Sequence, residues 1–428
     1  MTIRQDKSRF WIGITPLAVG VGIFLGYASI GLPISDAKGI IAILVIITWI
    51  LIVGRRQPKQ VRYALIVALG LRLALALFQA YVAPLPDSQS DALGFERVGW
   101  ELAQGWHQGM PFVVHRGAHL YSTFIGMVYW LFGRVPLIIQ CINVLLGTLV
   151  VLNVYRIARR LGGARSGQWA AWATALFPTL NLYSAITMRE MFIIYGATWA
   201  LWYLWGWYST AKVKHFVWSS LWLLFCGALN SAFTFGLLVY GGLVLMRWLR
   251  VSVARLRGRW RQTSWAAVIL VSLAFIVVIT GIGLEKLGRV RTQGLSGAVY
   301  AQASRAHGRA VYLEGLHPDR SSDIVWQLPI RVAYFLFAPF PWMIHSPLDL
   351  VGLADALLYL VLVIWIWRRR SVWKDWRALA PLLLLFFVWL AVFSMGTFNY
   401  GTAIRHRASL VWLLIIWGSA SMSQTQKA

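Results

Sequence analysis

The sequence predicts an all-α polytopic membrane protein, and three observations carry that prediction. Of 428 residues, 59% are hydrophobic and only 13% are charged, about half the roughly 25% charged content of a soluble domain. Apolar runs such as IIAILVIITWILIV at 40 to 53 and SWAAVILVSLAFIVVITGIGL at 264 to 284 approach or reach the roughly 20 residues that cross a bilayer as a helix. Such runs recur to the C-terminus with basic clusters between them. The chain therefore reads as a single integral membrane domain, 1–428, without a soluble module.

In chain order, the first run begins near Phe10 after MTIRQDKSR and lacks a small-residue cleavage site, so a retained helix is expected. The predicted spans are 11–32, 39–53, 63–83, 137–155, 167–187, 191–208, 216–230, 231–246, 264–284, 350–367, 378–396 and 408–422. Short basic clusters at Arg4 to Arg9, Arg55 to Arg62, Arg156 to Arg165, Lys212 to Lys214, Arg247 to Arg261 and Arg368 to Arg377, with Lys427, hold 25 of the 40 Lys and Arg. The positive-inside rule assigns these loops, and both termini, to the cytoplasm. The pair 216–230 and 231–246 is short for two crossings, but one crossing would place Arg247 to Arg261 outside. That gives about twelve transmembrane helices in the inner (cytoplasmic) membrane.

Two apolar stretches, 120–133 and 325–344, would invert everything after them if they crossed. Both are expected as interfacial or re-entrant segments on the outer face. The proline-broken APFPW at 338 to 342 suits this, because irregular backbone at membrane depth survives only against protein or water. The outer elements are then 84–136 and 285–349.

The net charge of +26 raises nucleic acid as a partner, but its dispersal into short inter-helix clusters argues for membrane lipids instead. Cys141 and Cys226 both fall inside apolar runs, which speaks against a disulfide framework or a metal cluster. The acids segregate to the opposite side from the basic clusters. Only Asp6 and Asp375 fall on the cytoplasmic side; the other twelve lie on or near the outer face, so chemistry is expected there.

Three stretches stand out. In PDSQSDALGFERVGWELAQG, 86 to 105, Asp91, Phe95, Val98 and Leu102 have the spacing of one helical face. Ser88 three residues before Asp91 resembles a capping box. Glu96 and Glu101 fall off that stripe, and Asp87 precedes the helix, where a carboxylate also suits the helix dipole. In FPTLNLYSAITMREMF, 177 to 192, Arg189 and Glu190 interrupt a long apolar run, an unusual pair for a tight turn. In NYGTAIRHRASL, 399 to 410, Arg405, His406 and Arg407 are placed in the last outer loop before the final span. Cations are disfavoured in translocated short loops, and guanidinium groups grip phosphate oxygens bidentately. His115 and His119 share an i, i+4 spacing that would suit a metal. Arg72 lies mid-span, where a charge suggests function by default.

Together these stretches resemble the GT-C glycosyltransferases, polytopic enzymes that use polyprenyl-phosphate sugars at the outer membrane face. The likeness rests on Asp91 with Phe95 in the first large loop, YSTFIGMVYWLFGR, VYRIARRLGG, FPTLNLYS with the following Arg-Glu, and IRHR. It covers residues 63 to 210 well and the C-terminal third loosely. Each motif is short, so the specificity lies in their order. The resemblance implies a polyprenyl-phosphate-linked sugar donor, a glycan acceptor, and a first-loop acid, Asp91, as catalytic base or metal ligand. It implies Glu190 as a second acid, and donor binding by Asp87, Arg189, Arg405, His406 and Arg407. A divalent metal is the one cofactor it leaves open. Two extra spans precede the acidic loop, and Asn230 and Ser231 stand where members often carry an arginine. Lipid-linked polysaccharide polymerases and O-antigen ligases, with pyrophosphate-linked donors, share the general architecture. A lipid or solute transporter is the rival from another class, but it would bury ionisable groups at the midplane, where only Arg72 qualifies.

Overall fold

A computed structural model describes residues 34–253, 257–281, 294, 296–297, 299–304, 308, 310–316, 318–320, 322–369 and 376–420. The expected first span, 11–32, lies outside them. The described residues are helical, with an isolated bridge between Val311 and Asn399 as the β pairing. Among the described residues, six helices are long and apolar enough to cross a membrane. This establishes an all-α membrane protein. Val213–Leu229 and Gln262–Ala274 are apolar but shorter. The segment EMFIIYGATWALWYLWGWYST is a long helix whose Trp and Tyr side chains, amphipathic by nature, lower its hydropathy.

One compact unit comprises residues up to His115, Tyr121–Leu152 and Ala171–Met191. Helices α1 (Ile34–Arg55) and α2 (Lys59–Tyr81) form an antiparallel pair. After the turn at 86–90 come α3 (Asp91–His107) and α4 (Leu120–Phe132). The two helices cross closely at glycine. A Cβ on Gly99 would stand 2.6 Å from Cγ2 of Ile125. Helix α5 (Pro136–Leu176) starts with proline at its first turn, where the missing N–H costs nothing. It contains the expected span 137–155 and the first part of 167–187, divided at Gly163, whose φ of 83° breaks the helical path; the rest of 167–187 lies beyond a break at Phe177. Proline then starts α6 (Pro178–Ala185), which packs on α2.

The other unit comprises Arg116–Leu120, Asn153–Ala170 and Phe192–Ala428. It contains most of α7 (Glu190–Thr210), then α8 (Val213–Leu229), a 3-10 turn at Ser231–Phe235, α9 (Gly236–Val253) and α10 (Arg257–Thr280). The expected break between 216–230 and 231–246 is therefore present, with the Asn230 side chain accepting from the Ala232 N–H at 3.1 Å. Three helices pack mutually near the C-terminal end: α11 (Asp323–Phe337), α12 (Pro347–Arg368) and α14 (Tyr400–Ala420). Helix α13 (Trp376–Met395) packs against α11 and α14. Ser346 and Asp349 close a capping box around Pro347. The stretch 325–344 is α11 followed by an extended segment and a 3-10 turn at Pro341–Met343.

Candidate functional site

In the first unit, Asp87 and Glu96, which follow α2, accept hydrogen bonds from the side chains of Tyr183, Tyr129 and Arg134. Asp87 occupies the left-handed region, φ 62°, which Asp tolerates better than most residues. Its Oδ2 accepts from the Tyr183 hydroxyl of α6 at 3.3 Å. Asp91 is the first residue of α3 and is exposed, a placement that favours its charge at the positive end of the helix. The expected capping box is absent: the helix is preceded by Ser90, and Ser88 is buried outside it.

The buried face of α3 is Ala92, Phe95, Glu96, Gly99 and Ala103. It is rotated by about one position from the Asp91, Phe95, Val98, Leu102 stripe read from the sequence, so Asp91 points out and Glu96 points in. The reason is electrostatic. Arg134 donates from Nε and Nη2 to the two Glu96 oxygens, each at 2.9 Å, and Tyr129 adds its hydroxyl at 3.0 Å. A buried carboxylate is tolerated when paired and hydrogen-bonded in this way. The bond to Glu96 raises the Arg134 pKa, keeping the guanidinium charged.

Arg189 and Glu190 lie where α6 gives way to α7. The Arg189 guanidinium sits over the Phe95 ring at 5.5 Å, and Phe95 meets Tyr121 edge-on at 5.7 Å. Glu190 is buried in the first turn of α7. The turn is held by Asn143 of α5, whose Nδ2 donates to Ile186 O at 2.7 Å, Met188 O at 2.9 Å and the Tyr121 hydroxyl at 3.2 Å. Sequence reasoning passed over Asn143. Its signal was an amide inside the apolar run LIIQCINVLLGTLVV, where a polar group must find partners. The structure thus joins two separately identified stretches: Phe95 and Asp87 from the first with Arg189 and Tyr183 from the second.

The third stretch belongs to the second unit. Arg405, His406 and Arg407 lie within α14, not in a loop before it. The helix starts earlier because the Asn399 side chain accepts from the N–H groups of Gly401 at 2.8 Å and Thr402 at 3.4 Å. Arg407 is fully buried. Its Nε donates to Asp355 at 2.7 Å, and its terminal nitrogens to the carbonyls of Leu336, Ala338 and Gly352 at 3.0, 2.7 and 3.2 Å. Phosphate binding by Arg407, expected from the sequence, meets a guanidinium already enclosed by protein acceptors. Arg405 and His406 are half-buried, with His406 Nδ1 3.1 Å from Thr397 Oγ1 and its ring on Phe393. A further buried arginine, Arg331 of α11, donates to Leu316 O at 2.6 Å and lies over Phe398.

His115 is in an irregular stretch and His119 in a 3-10 turn, so their four-residue spacing is not that of one α-helical face. Among the described residues, no group of three or more His, Cys, Asp or Glu side chains is gathered to hold a metal ion.

No protein-family profile matches the chain, and no curated protein does. Among solved structures, the oligosaccharyltransferase AglB from the archaeon Archaeoglobus fulgidus, in complex with an inhibitory peptide and a dolichol-phosphate, is similar over 85% of this chain and 50% of its own. The identity is 13% and the TM-score 0.48. ArnT from Cupriavidus metallidurans bound to undecaprenyl phosphate is similar over 84% of this chain and 78% of its own, at 14% identity and a TM-score of 0.31. Its apo state gives 77% and 73%, 16% identity and 0.28. The chain spans about half the length of the oligosaccharyltransferase structures it matches.

Proposed function

We propose that the chain is a membrane glycosyltransferase of the GT-C type. It transfers a sugar from a polyprenyl-phosphate-linked donor to a glycan or lipid-linked acceptor on the extracytoplasmic face. The observation that supports this most is that the stretch carrying Asp87 and Asp91 meets the stretch carrying Arg189 in the first unit. Tyr183 reaches Asp87 and Arg189 reaches Phe95, so α6 and the turn after it are tied to the segment that carries Asp91.

In the proposed reaction the acceptor oxygen attacks the anomeric carbon, whose bond to the phosphate oxygen breaks. The exposed Asp91 carboxylate takes the acceptor proton as general base. The leaving polyprenyl phosphate keeps the bonding pair, and Arg189 stabilises the charge that develops on it. Asp87 orients donor hydroxyls, and Glu190 is the second acid. Arg405 and His406 bind anionic groups of the donor, while Arg407 is the support on which α14 is seated. Transport, for which Arg72 was the sequence evidence, is disfavoured because Arg72 is engaged with Ser184 and the Thr174 carbonyl.

The proposal includes twelve crossings with both termini inside and 120–133 and 325–344 as outer interfacial or re-entrant segments. Cysteine labelling should find positions near 110 and 310 outside and near 58 and 255 inside. The function is tested by reconstituting the protein with a panel of polyprenyl-phosphate-linked hexoses and following release of free polyprenyl phosphate by mass spectrometry. Release is the expected result. Release of polyprenyl pyrophosphate from pyrophosphate-linked oligosaccharides alone would move the reading to a polymerase or ligase, and release from neither would overturn it.

A further inference from the structure

Arg72 lies in the middle of α2, fully buried. No carboxylate touches it among the described residues; its partners are neutral. Nε donates to Ser184 Oγ at 3.1 Å and Nη2 to the Thr174 carbonyl at 3.3 Å. A buried charge held only by neutral oxygens is costly, so the contacts it makes need a reason.

Thr174 stands four residues before Pro178. In a continuous helix its carbonyl would accept from the N–H of residue 178, and proline has none. Phe177 is extended, φ −65° and ψ 119°, as the residue before proline prefers. Helix α5 stops at Leu176 and α6 restarts at Pro178. The donor that the proline lacks comes from Arg72.

The other bond acts beyond the break. Ser184 Oγ accepts from Arg72 and donates to Leu180 O at 2.6 Å, so the same guanidinium reaches the last turn of α5 and the body of α6. Gly147 of α5 makes the space: a Cβ there would collide with Ser184 Oγ and stand 3.1 Å from Arg72 Nε. The neighbour of Ser184 is Tyr183, whose hydroxyl bonds Asp87.

We propose that Arg72 is a positioning residue that supplies the helix donor Pro178 removes and fixes the angle at which α6 presents Tyr183 to Asp87. The catalytic consequence rests on the reading of Asp87 as a donor-site acid; the clamp itself does not.

The test uses the full-length protein in detergent with added lipid. In thermal unfolding, Arg72→Met is expected to lower Tm by several degrees when residue 178 is proline. It should lower Tm by less than half as much in Pro178→Ala, which restores an N–H to the Thr174 carbonyl. Equal losses in the two backgrounds would overturn the clamp. If Arg72→Met does not fold, Arg72→Lys, which retains a single donor group, replaces it in the same comparison. Positioning is read by a second cycle, Tyr183→Phe with Asp87→Asn. Their effects on Tm should be coupled in the wild type and additive in Arg72→Lys. Coupling that persists in Arg72→Lys would overturn the positioning role. Neither measurement depends on transfer, so an inactive wild-type protein would count against the proposed function alone.

Discussion

Glu96 and Arg134 meet as a fork, with both carboxylate oxygens accepting at 2.9 Å from Nε and Nη2 of the guanidinium. The Glu96 side chain is 9% exposed and that of Arg134 49%, so the acid depends on the pair more than the base does. Neutralising Glu96 as Gln weakens bonds to a charged partner, each worth roughly 1.5–3 kcal/mol when buried. Solvent on Arg134 reduces that to about 1–2 kcal/mol. Glu96→Gln is expected to lower Tm measurably, and Arg134→Gln to do the same without adding fully in the double variant. Additive losses, or none, would show that the fork does not hold α3.

Arg407 and Asp355 are buried together, 0% and 2% exposed. Removing one partner from such a pair strands the other charge, at roughly 3–5 kcal/mol. Arg407→Met and Asp355→Asn are therefore expected to reduce recovery of monodisperse protein in fluorescence-detected size exclusion. Arg407→Lys should not restore it, because an ammonium lacks the planar fork that reaches Asp355 and three carbonyls. Arg405→Ala should fold normally and lose binding of polyprenyl-phosphate donor. A well-folded Arg407→Met with weakened donor binding would instead support the phosphate role read from the sequence.

The helices were legible because apolar runs mark them locally, but the break at Pro178, inside the expected span 167–187, was not. The phase of α3 was not, because Glu96 is turned inward by Arg134, 38 residues away, and periodicity counts a carboxylate as a solvent-facing residue. The same applies to Arg405, His406 and Arg407. Three consecutive basic residues read as a loop until Asp355, 52 residues earlier, neutralises the buried one. Stretches that would meet were identifiable one at a time. That Asp87 meets Tyr183, and Phe95 meets Arg189, depends on tertiary packing, and so does the role of Asn143.

Asn143 is expected to be a residue whose loss affects stability and turn geometry together. Asn143→Leu preserves size but removes the donor shared by the Ile186 and Met188 carbonyls. Leaving a buried acceptor unsatisfied costs roughly 1–3 kcal/mol. The variant should show a lower Tm and faster proteolytic cleavage within 186–190. Unchanged cleavage would mean that the turn is held by its own backbone, through the Met188 N–H to Ile186 O bond.

Asp91 and Asp87 are separated by their exposure. Asp91 is exposed at the first position of α3, so Asp91→Asn should leave Tm and expression unchanged. If Asp91 is the general base, the variant should lower transfer by roughly 10²- to 10⁴-fold. Donor binding should survive, because the base acts on the acceptor proton. Asp87 is half-buried, takes a left-handed backbone conformation and accepts from Tyr183. Asp87→Asn should therefore weaken donor binding and lower Tm together, whereas Asp87→Ala adds backbone strain at φ 62° and should be worse on both counts. The measurement is sugar transfer and donor binding in vesicles, normalised to folded protein. Full activity in Asp91→Asn would refute its assignment as base and leave that carboxylate as the favourable first charge of a helix.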